Sequence, residues 1–338
     1  MRKAVILFNL GGPDSLSSVE PFLFNLFNDP AIISLPTILR YPLAKLISKR
    51  RAPTAKAIYS EMGGSSPILK QTKMQALAIE ESLKDESDDY KCFIVMRCWK
   101  PRASFVIKEI INYKPEQIIL LPLYPQYSDS TSGSSIREWL GECKKNNITT
   151  ETKIICCYPT EDNFILSHVN LIKEKLSLTE LDNTIIIFSA HGLPENKIKK
   201  GDPYQWQVEK TVEGIMSKLT SENLDFLISY QSRVGPLKWI GPSTDEMIIK
   251  YSKENKGIVI VPVAFVSEHS ETLVELDIEY KKLAEKNGCS FYKRVPALGT
   301  EENFIKGLTE LVLKKETRKN FVSSVMCPDK HVKCPCLK

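Results

Sequence analysis

Short runs of apolar residues alternate along the chain with longer segments in which apolar residues recur every three to four positions. The short runs predict strands at residues 4–9, 92–96, 117–123, 153–157, 184–189, 226–230 and 257–263. Their unbroken apolar character is typical of parallel strands that are buried on both faces. The longer segments predict helices at residues 67–83, 103–112, 134–146, 164–176, 203–219, 244–254 and 271–287. Strands that alternate with helices indicate an α/β fold with doubly wound parallel sheets.

The alternation runs through the 338 residues twice, once before about residue 150 and once after it. At roughly 150 residues per domain, the length also suits two domains. We therefore predict two similar Rossmann-like α/β domains at residues 1–150 and 151–312, followed by a tail at 313–338. Ligands of such folds bind beyond the carboxyl ends of the strands, so the residues that follow each strand are the candidate site.

The composition is that of a globular protein, with 42% hydrophobic and 26% charged residues. No run of about 18 uncharged apolar residues occurs, so no membrane-spanning helix is expected. The N-terminal apolar run passes into Gly11-Gly12 without a cleavage site of small residues, which predicts a strand and a cytoplasmic location. The net charge of +5 resides in residues 314–338, and the neutral remainder argues against a nucleic-acid-binding surface.

Residues 30–51, which we call the lip segment, combine many apolar side chains with a basic end at Lys49-Arg50-Arg51. Pro36 and Pro42 interrupt the segment, which is too short to span a bilayer. It either packs on the body as ordinary core or forms an apolar lip with a basic collar. The composition alone favours core, whereas a lip would suit a greasy anionic ligand or an anionic membrane surface.

His191 follows a predicted buried strand and precedes Gly192-Leu193-Pro194, which end that strand. This position aims the imidazole into the crevice beyond the sheet, where it could ligate a metal or move a proton near neutral pH. The alternative is a histidine that only hydrogen-bonds the end of the strand. Position alone does not decide between the two interpretations.

Four carboxylates recur at helical spacing after the strand that ends at residue 263; they are Glu268, Glu271, Glu275 and Glu279. This spacing predicts that they lie roughly on one face of a helix, beside His269. A solvated acidic face is the ordinary explanation. However, the stripe begins where the crevice is expected, and like charges at this spacing destabilise a helix unless cations or protons use them. Carboxylates beside imidazole suit a transient divalent cation such as Fe²⁺.

Three of the nine cysteines, Cys327, Cys334 and Cys336, crowd into the tail. An odd number of cysteines in a chain without a secretion signal favours a reducing compartment, and metal rather than disulfide chemistry in the tail.

Eight segments together resemble the ferrochelatase family, in order and from about residue 3 to 312. They are Phe8-Asn9-Leu10-Gly11-Gly12-Pro13, Gly64-Ser65-Ser66-Pro67, Tyr124-Pro125-Gln126-Tyr127-Ser128, Ser189-Ala190-His191-Gly192-Leu193-Pro194, Gly201-Asp202-Pro203-Tyr204, Gln231-Ser232-Arg233-Val234-Gly235-Pro236, Trp239-Ile240-Gly241-Pro242 and His269-Ser270-Glu271-Thr272-Leu273-Val274-Glu275. The resemblance implies a chelatase-type fold with a porphyrin cleft between two domains. It also implies a lyase that inserts Fe²⁺ into protoporphyrin IX in the last step of haem synthesis.

The resemblance further implies roles for individual residues. His191 and Glu271 are expected to hold the metal and take the pyrrole protons on the two sides of the macrocycle. Glu268, His269 and Glu275 are expected to complete a polar track for iron or protons. The walls of the porphyrin cleft are expected to include the lip segment together with Leu10, Tyr127, Ser128, Trp239 and Phe265. Such a cleft would bend the macrocycle, while imidazole and carboxylates accept its protons.

The tail resembles the carboxyl-terminal motif of those ferrochelatases that carry a [2Fe–2S] cluster. Cys327, Cys334 and Cys336 supply three ligands, and Cys157 is the expected fourth, with its neighbour Cys156 as the alternative. Asp129 occupies the position of the cysteine that animal members use, so the animal pattern is not expected. Four thiolates would equally hold a structural zinc ion, and free thiols are the third option.

Two other functions remain open from the sequence. A carrier could store haem or metal without turnover, although storage requires no proton acceptor such as His191 or Glu271. A chelatase could instead act on coproporphyrin or another tetrapyrrole, although the apolar lip segment favours the more hydrophobic protoporphyrin. Peripheral attachment to the inner membrane through the lip segment is also expected, and a homodimer is an open assembly state.

Overall fold

The structure is a computed structural model that describes residues 1–176, 183–219, 224–233, 235, 237–315 and 320–337. Val234 and Pro236 of the predicted 231–236 motif, and residues 316–319 and 338 of the predicted tail, lie outside the described residues. The chain divides into two compact units. The first comprises residues 1–124, 128–156 and 308–322, and the second comprises residues 125–127, 157–307 and 323–338.

A five-stranded sheet forms the centre of the first unit, with strand order β2-β1-β3-β4-β9. Its strands are β1 (Arg2–Asn9), β2 (Asp89–Met96), β3 (Gln117–Pro122), β4 (Glu151–Cys157) and β9 (Phe321–Ser323). The register of β1 with β2 and β3, and of β3 with β4, is parallel. The helices of the first unit are α1 (Val19–Phe27), α2 (Thr37–Glu61), α3 (Ile68–Ser82), α4 (Ala103–Tyr113) and α5 (Ser132–Lys145). The unit boundary after residue 307 falls within α11 (Glu302–Leu313).

A four-stranded sheet forms the centre of the second unit, with strand order β6-β5-β7-β8 and parallel pairing throughout. Its strands are β5 (Thr184–His191), β6 (Asp225–Gln231), β7 (Gly257–Pro262) and β8 (Tyr292–Arg294). The helices are α6 (Asp162–Lys175), α7 (Glu195–Lys199), α8 (Tyr204–Lys218), α9 (Thr244–Lys253), a π-helix (Glu271–Tyr280) and α10 (Lys281–Lys286). Fully buried isoleucines and valines fill β5 and β7, which explains why both strands appear in the sequence as unbroken apolar runs.

Two strands differ in their placement from the sequence prediction. β4 pairs with β3 in the first sheet, although the predicted boundary at residue 150 would assign it to the second domain. β9 comes from the predicted tail and completes the first sheet beside β4. The tail is therefore part of the folded body over these residues rather than a separate appendage.

Two helices also differ from the prediction. The predicted helix at 271–287 begins as a π-helix and continues as α10. The lip segment is not broken at Pro42, because α2 continues through Pro42 and Pro53 for 25 residues. Each proline removes one backbone donor from the helix but leaves the remaining hydrogen bonds to carry it. No helix among the described residues is both long and apolar enough to cross a bilayer.

The exposure of the lip segment decides between its two interpretations. Ile38 is 82% exposed and Leu39 is 57% exposed, and Tyr41 and Leu46 are also exposed. The core interpretation is therefore wrong for the start of α2. Arg40 is the exception, because it is buried and donates to the carbonyl oxygens of Asn28 and Leu35.

Candidate active site

The end of β5 positions His191. Backbone register places His191 beside Gln231 at the end of β6, so two polar residues meet at the carboxyl edge of the second sheet. A side chain at the following glycine would be crowded, since a Cβ at Gly192 would lie 3.0 Å from the Gln231 carbonyl oxygen and 3.2 Å from the Trp239 ring. The His191 side chain is 37% exposed, which leaves the imidazole accessible to a ligand.

His191 and Glu271 form a direct pair. The Nδ1 atom of His191 lies 3.0 Å from Oε2 of Glu271, and the Nε2 atom of His269 lies 3.5 Å from the same oxygen. Because a carboxylate only accepts hydrogen bonds, Nδ1 of His191 carries the hydrogen and Nε2 is left as the basic nitrogen of the neutral ring. His269 is itself oriented by the Ser267 carbonyl oxygen, 3.0 Å from its Nδ1.

The pair changes the acidity of both partners. Burial favours the neutral imidazole, but Glu271 and then Glu275 outweigh this effect and raise the pKa of His191. Burial would also favour the neutral carboxylic acid, yet His191 and then His269 hold the pKa of Glu271 well below its usual range. Glu271 is therefore an ionised carboxylate that stabilises a proton on His191.

Glu275 lies in a pocket of hydrogen-bond donors. Its oxygens accept from the Ser232 backbone N–H (3.0 Å), the Ser232 hydroxyl (2.5 Å), Nε2 of Gln231 (3.0 Å) and the Tyr280 hydroxyl (3.0 Å). Ser232 directs two donors at once because its backbone is left-handed, with φ of 62°. Burial, and next the charge of Glu271, raise the pKa of Glu275 despite these donors. Glu275 therefore takes up a proton more readily than an ordinary glutamate.

Glu268 lies in a different environment from Glu271 and Glu275. Its Oε1 atom accepts from the Arg294 guanidinium (2.8 Å) and from the Ala297 backbone N–H (3.0 Å). Burial opposes ionisation of Glu268, but Arg294 outweighs it and lowers the pKa. Glu268 also precedes the π-helix rather than lying on it, so the four predicted carboxylates do not form one helical stripe. Glu279 is exposed near the end of that helix.

The expectation that His191 and Glu271 act on two sides of a macrocycle differs from the structure. Atoms in contact with opposite faces of a planar ring are separated by about 7 Å, because each lies about 3.5 Å from the ring atoms. The 3.0 Å separation of His191 and Glu271 places both groups on the same side of any flat ligand.

The predicted substrate-binding residues divide between the two units. Tyr127, Trp239 and Phe265 belong to the second unit with His191, and the Phe265 ring meets His269 edge-on at 4.6 Å between centroids. Leu10 and Ser128 belong to the first unit. There Leu10 packs on the core of α1, and Ser128 is buried with its hydroxyl accepting from the Ser130 backbone N–H.

Several site residues carry no role in the sequence prediction, namely Gln231, Ser232, Tyr280 and Arg294. Ser232 lies in a segment that directly follows a predicted strand, which is the signal that could have identified it. Arg294 offers no such signal, because β8 contains only three residues.

The cysteines of the tail lie close to other thiols. The Sγ atoms of Cys334 and Cys336 lie within 4.8 Å of each other, in a group that could hold a metal ion. The side-chain hydrogen bond with Cys334, followed by burial, raises the pKa of the Cys327 thiol. Cys157, the predicted fourth ligand, instead lies 3.3 Å from Nε2 of Gln207 and 3.1 Å from the Ser323 hydroxyl.

The Gln207 side chain joins the thiols of Cys157 and Cys327 to a predicted substrate-binding residue. Its Nε2 atom donates to Sγ of Cys157 and to Sγ of Cys327, the latter at 3.2 Å. Its Oε1 atom accepts from the Tyr127 backbone N–H at 2.7 Å. The buried amide therefore binds the two thiols through Nε2 and the Tyr127 backbone through Oε1.

Solved structures that resemble this chain show the fold. SirB from Bacillus subtilis with Fe³⁺ aligns with a TM-score of 0.55 and 10% identity, covering 93% of this chain and 95% of SirB. CbiX, the terminal enzyme for biosynthesis of sirohaem in denitrifying bacteria, aligns with a TM-score of 0.50 and 9% identity, covering 94% of this chain and all of CbiX. The predicted α/β fold with two parallel, chelatase-like sheets is thereby confirmed.

Sequence relatives show the family. A family model described as ferrochelatase matches residues 2–316. The ferrochelatase of Pelagibacter ubique is 64% identical over 343 aligned positions, covering 100% of this chain and 99% of that protein. Those of Rickettsia bellii and Caulobacter vibrioides are 50% and 48% identical, each over 99% of this chain and at least 95% of their own length. The chain therefore belongs to the ferrochelatase family of lyases.

Proposed function

We propose that this protein inserts Fe²⁺ into protoporphyrin IX to form protohaem, the last step of haem biosynthesis, and that His191 and Glu271 are its metal ligand and proton acceptors. The observation that carries the proposal is the direct contact between His191 and Glu271 at the accessible end of β5. Membership of the ferrochelatase family supports the same activity.

Metal insertion requires the removal of both pyrrole protons and a metal ligand that releases the ion. Nε2 of His191 accepts a pyrrole proton, and the ionised Glu271 stabilises the imidazolium that forms. Glu275, with its raised pKa, is the next acceptor along the π-helix. His269, 3.5 Å from the same oxygen of Glu271, helps to hold that carboxylate in place. Since two groups 3.0 Å apart would contact the same face of a flat ligand, we assign proton removal to that face.

Phe265 and Trp239 supply apolar surface beside this pair in the second unit. Such surface favours a flat apolar macrocycle and excludes water from the proton-transfer step. Glu268 is tied to Arg294, so we assign it to the support of the site rather than to iron or proton transfer.

An anaerobic absorbance assay tests the function. The purified protein is mixed with protoporphyrin or coproporphyrin and then with Fe²⁺ or Zn²⁺, while the porphyrin bands are followed. We expect catalytic metallation with protoporphyrin as the better substrate, and unchanged turnover in the control Glu279→Gln. Faster turnover of coproporphyrin would reassign the substrate. Stoichiometric binding without metallation would support a haem or metal carrier and contradict the proposal.

We propose that the tail cysteines hold a [2Fe–2S] cluster, with a structural zinc ion as the alternative. Thiolates are the donors that both centres use, and the mutual distances within the cysteine group fit such a donor set. Cys327 joins Cys334 and Cys336 through its side-chain hydrogen bond with Cys334. Cys157 is the proposed fourth ligand, with its neighbour Cys156 as the alternative. A bound centre would fix the tail by thiolate bonds where few apolar residues are available.

Metal and sulfide analysis of anaerobically purified protein tests this second proposal. We expect a brown protein that contains iron and acid-labile sulfide, and a bleached, less stable Cys334→Ser variant. Cys157→Ser and Cys156→Ser identify the fourth ligand, because only the variant that removes it should bleach the protein. A colourless protein with stoichiometric zinc would replace the cluster by zinc, whereas a protein with neither metal would contradict both assignments.

We also propose that the exposed start of α2 contacts an anionic membrane surface. Ile38 and Leu39 would enter the headgroup region while the exposed Lys45 and Lys49 pair with lipid phosphates. Sedimentation with vesicles that contain an anionic lipid tests this proposal. We expect weaker binding for the pair Ile38→Ser and Leu39→Ser, with unchanged thermal stability. Equal binding to neutral and anionic vesicles would contradict it.

A further inference from the structure

The edge strand β8 contacts the π-helix through alternate residues. The Tyr292 hydroxyl donates to the carbonyl oxygen of Leu276 at 2.7 Å, and the Arg294 guanidinium binds the Asp277 carboxylate. Side chains two apart on a strand project to the same face, so Tyr292 and Arg294 meet the helix together. Lys293 between them instead lies 3.4 Å from the Lys175 carbonyl oxygen at the end of α6.

A π-helix needs support from outside itself. It adds a residue to each turn, is rare, and is found mainly as short pieces at functional sites. Here the N-cap residue Ser270 makes no side-chain capping hydrogen bond. Two of its carbonyl oxygens, those of Glu271 and Leu276, accept hydrogen bonds from side chains of β6 and β8. The surrounding strands thus supply donors to the wide helical backbone.

Arg294 ties down the chain on both flanks of the proposed catalytic carboxylates. Its Nε and Nη2 atoms each lie 2.6 Å from an oxygen of Asp277, in a bidentate pair, and Nη1 lies 2.8 Å from Glu268. Glu268 precedes Glu271 by three residues, and Asp277 follows Glu275 by two. The Arg294 side chain is only 11% exposed and that of Glu268 only 15%, so water screens the Arg294–Glu268 ion pair little.

The width of the helix decides where Glu271 and Glu275 point. The two side chains must reach different partners at once, because Glu271 binds His191 while Glu275 binds Ser232. Removing a residue from each turn changes the angle between positions 271 and 275. Relaxation to an ordinary α-helix would therefore turn one carboxylate away from its partner.

We propose that Tyr292 and Arg294 of β8 are positioning residues for metal insertion, which hold residues 271–280 in the π-helical form and so aim Glu271 and Glu275. This inference rests on the proposed roles of Glu271 and Glu275. Neither β8 residue touches the His191–Glu271 pair through any contact described above. Their effect on the reaction is transmitted through the helix backbone and through Asp277 and Glu268.

The test combines backbone hydrogen exchange with steady-state kinetics on the full-length protein. The variants are Arg294→Gln, Arg294→Lys and Tyr292→Phe, with Tyr251→Phe as a matched control that removes a phenolic hydroxyl elsewhere in the second unit. Ile172→Ala, in the buried face of α6, serves as a control for general destabilisation. Exchange at residues 271–280 reports the helix directly and does not depend on turnover.

We expect Arg294→Gln to accelerate exchange at residues 271–280 and to lower kcat at least about tenfold, with the porphyrin KM within about twofold. Arg294→Lys should restore part of kcat, because it keeps the charge but loses the bidentate geometry. Tyr292→Phe should show a smaller effect of the same kind. If Arg294→Gln does not fold, Tyr292→Phe and Arg294→Lys carry the test.

Two results would overturn the proposal. One is unchanged exchange at residues 271–280 in the Arg294 and Tyr292 variants. The other is a loss of kcat no larger than that of Ile172→Ala at equal global stability. Failure of the proposed function is a separate outcome, seen as full activity of Glu271→Gln. The exchange measurement would still test whether Tyr292 and Arg294 hold residues 271–280 in the π-helical form.

Discussion

Replacing Glu275 by glutamine tests whether this carboxylate is a proton acceptor held in place by specific hydrogen-bond donors or only a solvated surface charge. Ser232 N–H and Tyr280 O–H donate to one oxygen, and Ser232 Oγ–H and Gln231 Nε2–H donate to the other. Hydroxyls can reverse and accept from an amide, but the two N–H groups cannot. Either orientation of the new amide therefore leaves one N–H donor facing an NH₂ group.

The magnitude follows from that mismatch. An unpaired buried donor costs about 1–3 kcal/mol, and relief of the repulsion between Glu271 and Glu275 offsets part of it. We expect Glu275→Gln to lower the free energy of unfolding by about 1–2 kcal/mol. Loss of the proton acceptor should lower kcat by at least about tenfold.

Urea unfolding and the metallation assay measure the two effects on the same preparations. Glu279→Gln is the matched control, because it makes the same chemical change on the same helix at an exposed position. Equal effects of the two substitutions, in stability and in kcat, would refute the reasoning. The acidic residues after β7 would then be only a solvated face.

Three further outcomes follow from individual contacts. In Glu271→Gln, loss of the carboxylate should lower the pKa of His191, measured by NMR titration of the imidazole; an unchanged pKa would contradict the pairing. Gly192→Ala should lower kcat at least about tenfold by displacing the Gln231 carbonyl and the Trp239 ring from residue 192, seen in steady-state kinetics. Burial and then Lys3 lower the pKa of Lys153 from 10.5 to about 8. Between these two pH values the unfolded chain binds more protons than the folded chain, so the free energy of unfolding rises with pH. Urea unfolding should show the free energy of unfolding of the wild type, relative to Lys153→Met, rising by about 2–3 kcal/mol over this pH range. A difference between the two proteins that does not change with pH would contradict this prediction.

Much of the fold could be predicted because the strands are buried on both faces. The seven predicted strands all appear, since continuous apolar runs such as residues 257–262 leave little alternative. β8 and β9 could not be predicted, because three residues carry no periodicity. The π-helix could not be predicted either, since the apolar pattern of residues 271–287 fits an α-helix equally well.

The candidate site was predictable where chemistry follows the end of a strand. His191 and Glu271 could be identified on that basis, and the structure brings them into contact. That the two groups would contact the same face of a flat ligand was not predictable, because it depends on how the π-helix meets β5. The donors around Glu275 depend on the left-handed backbone of Ser232, and a sequence does not reveal that conformation at a serine.

Porphyrin metallation by His191→Ala tests the central claim most directly. Single-turnover insertion is followed by absorbance, and porphyrin binding is measured separately by fluorescence on the same protein. We predict that porphyrin affinity stays within about twofold, while the insertion rate falls on the order of a hundredfold or more. Insertion at the wild-type rate, or an equal loss of binding and insertion, would contradict the assignment of His191 to the proton-transfer step.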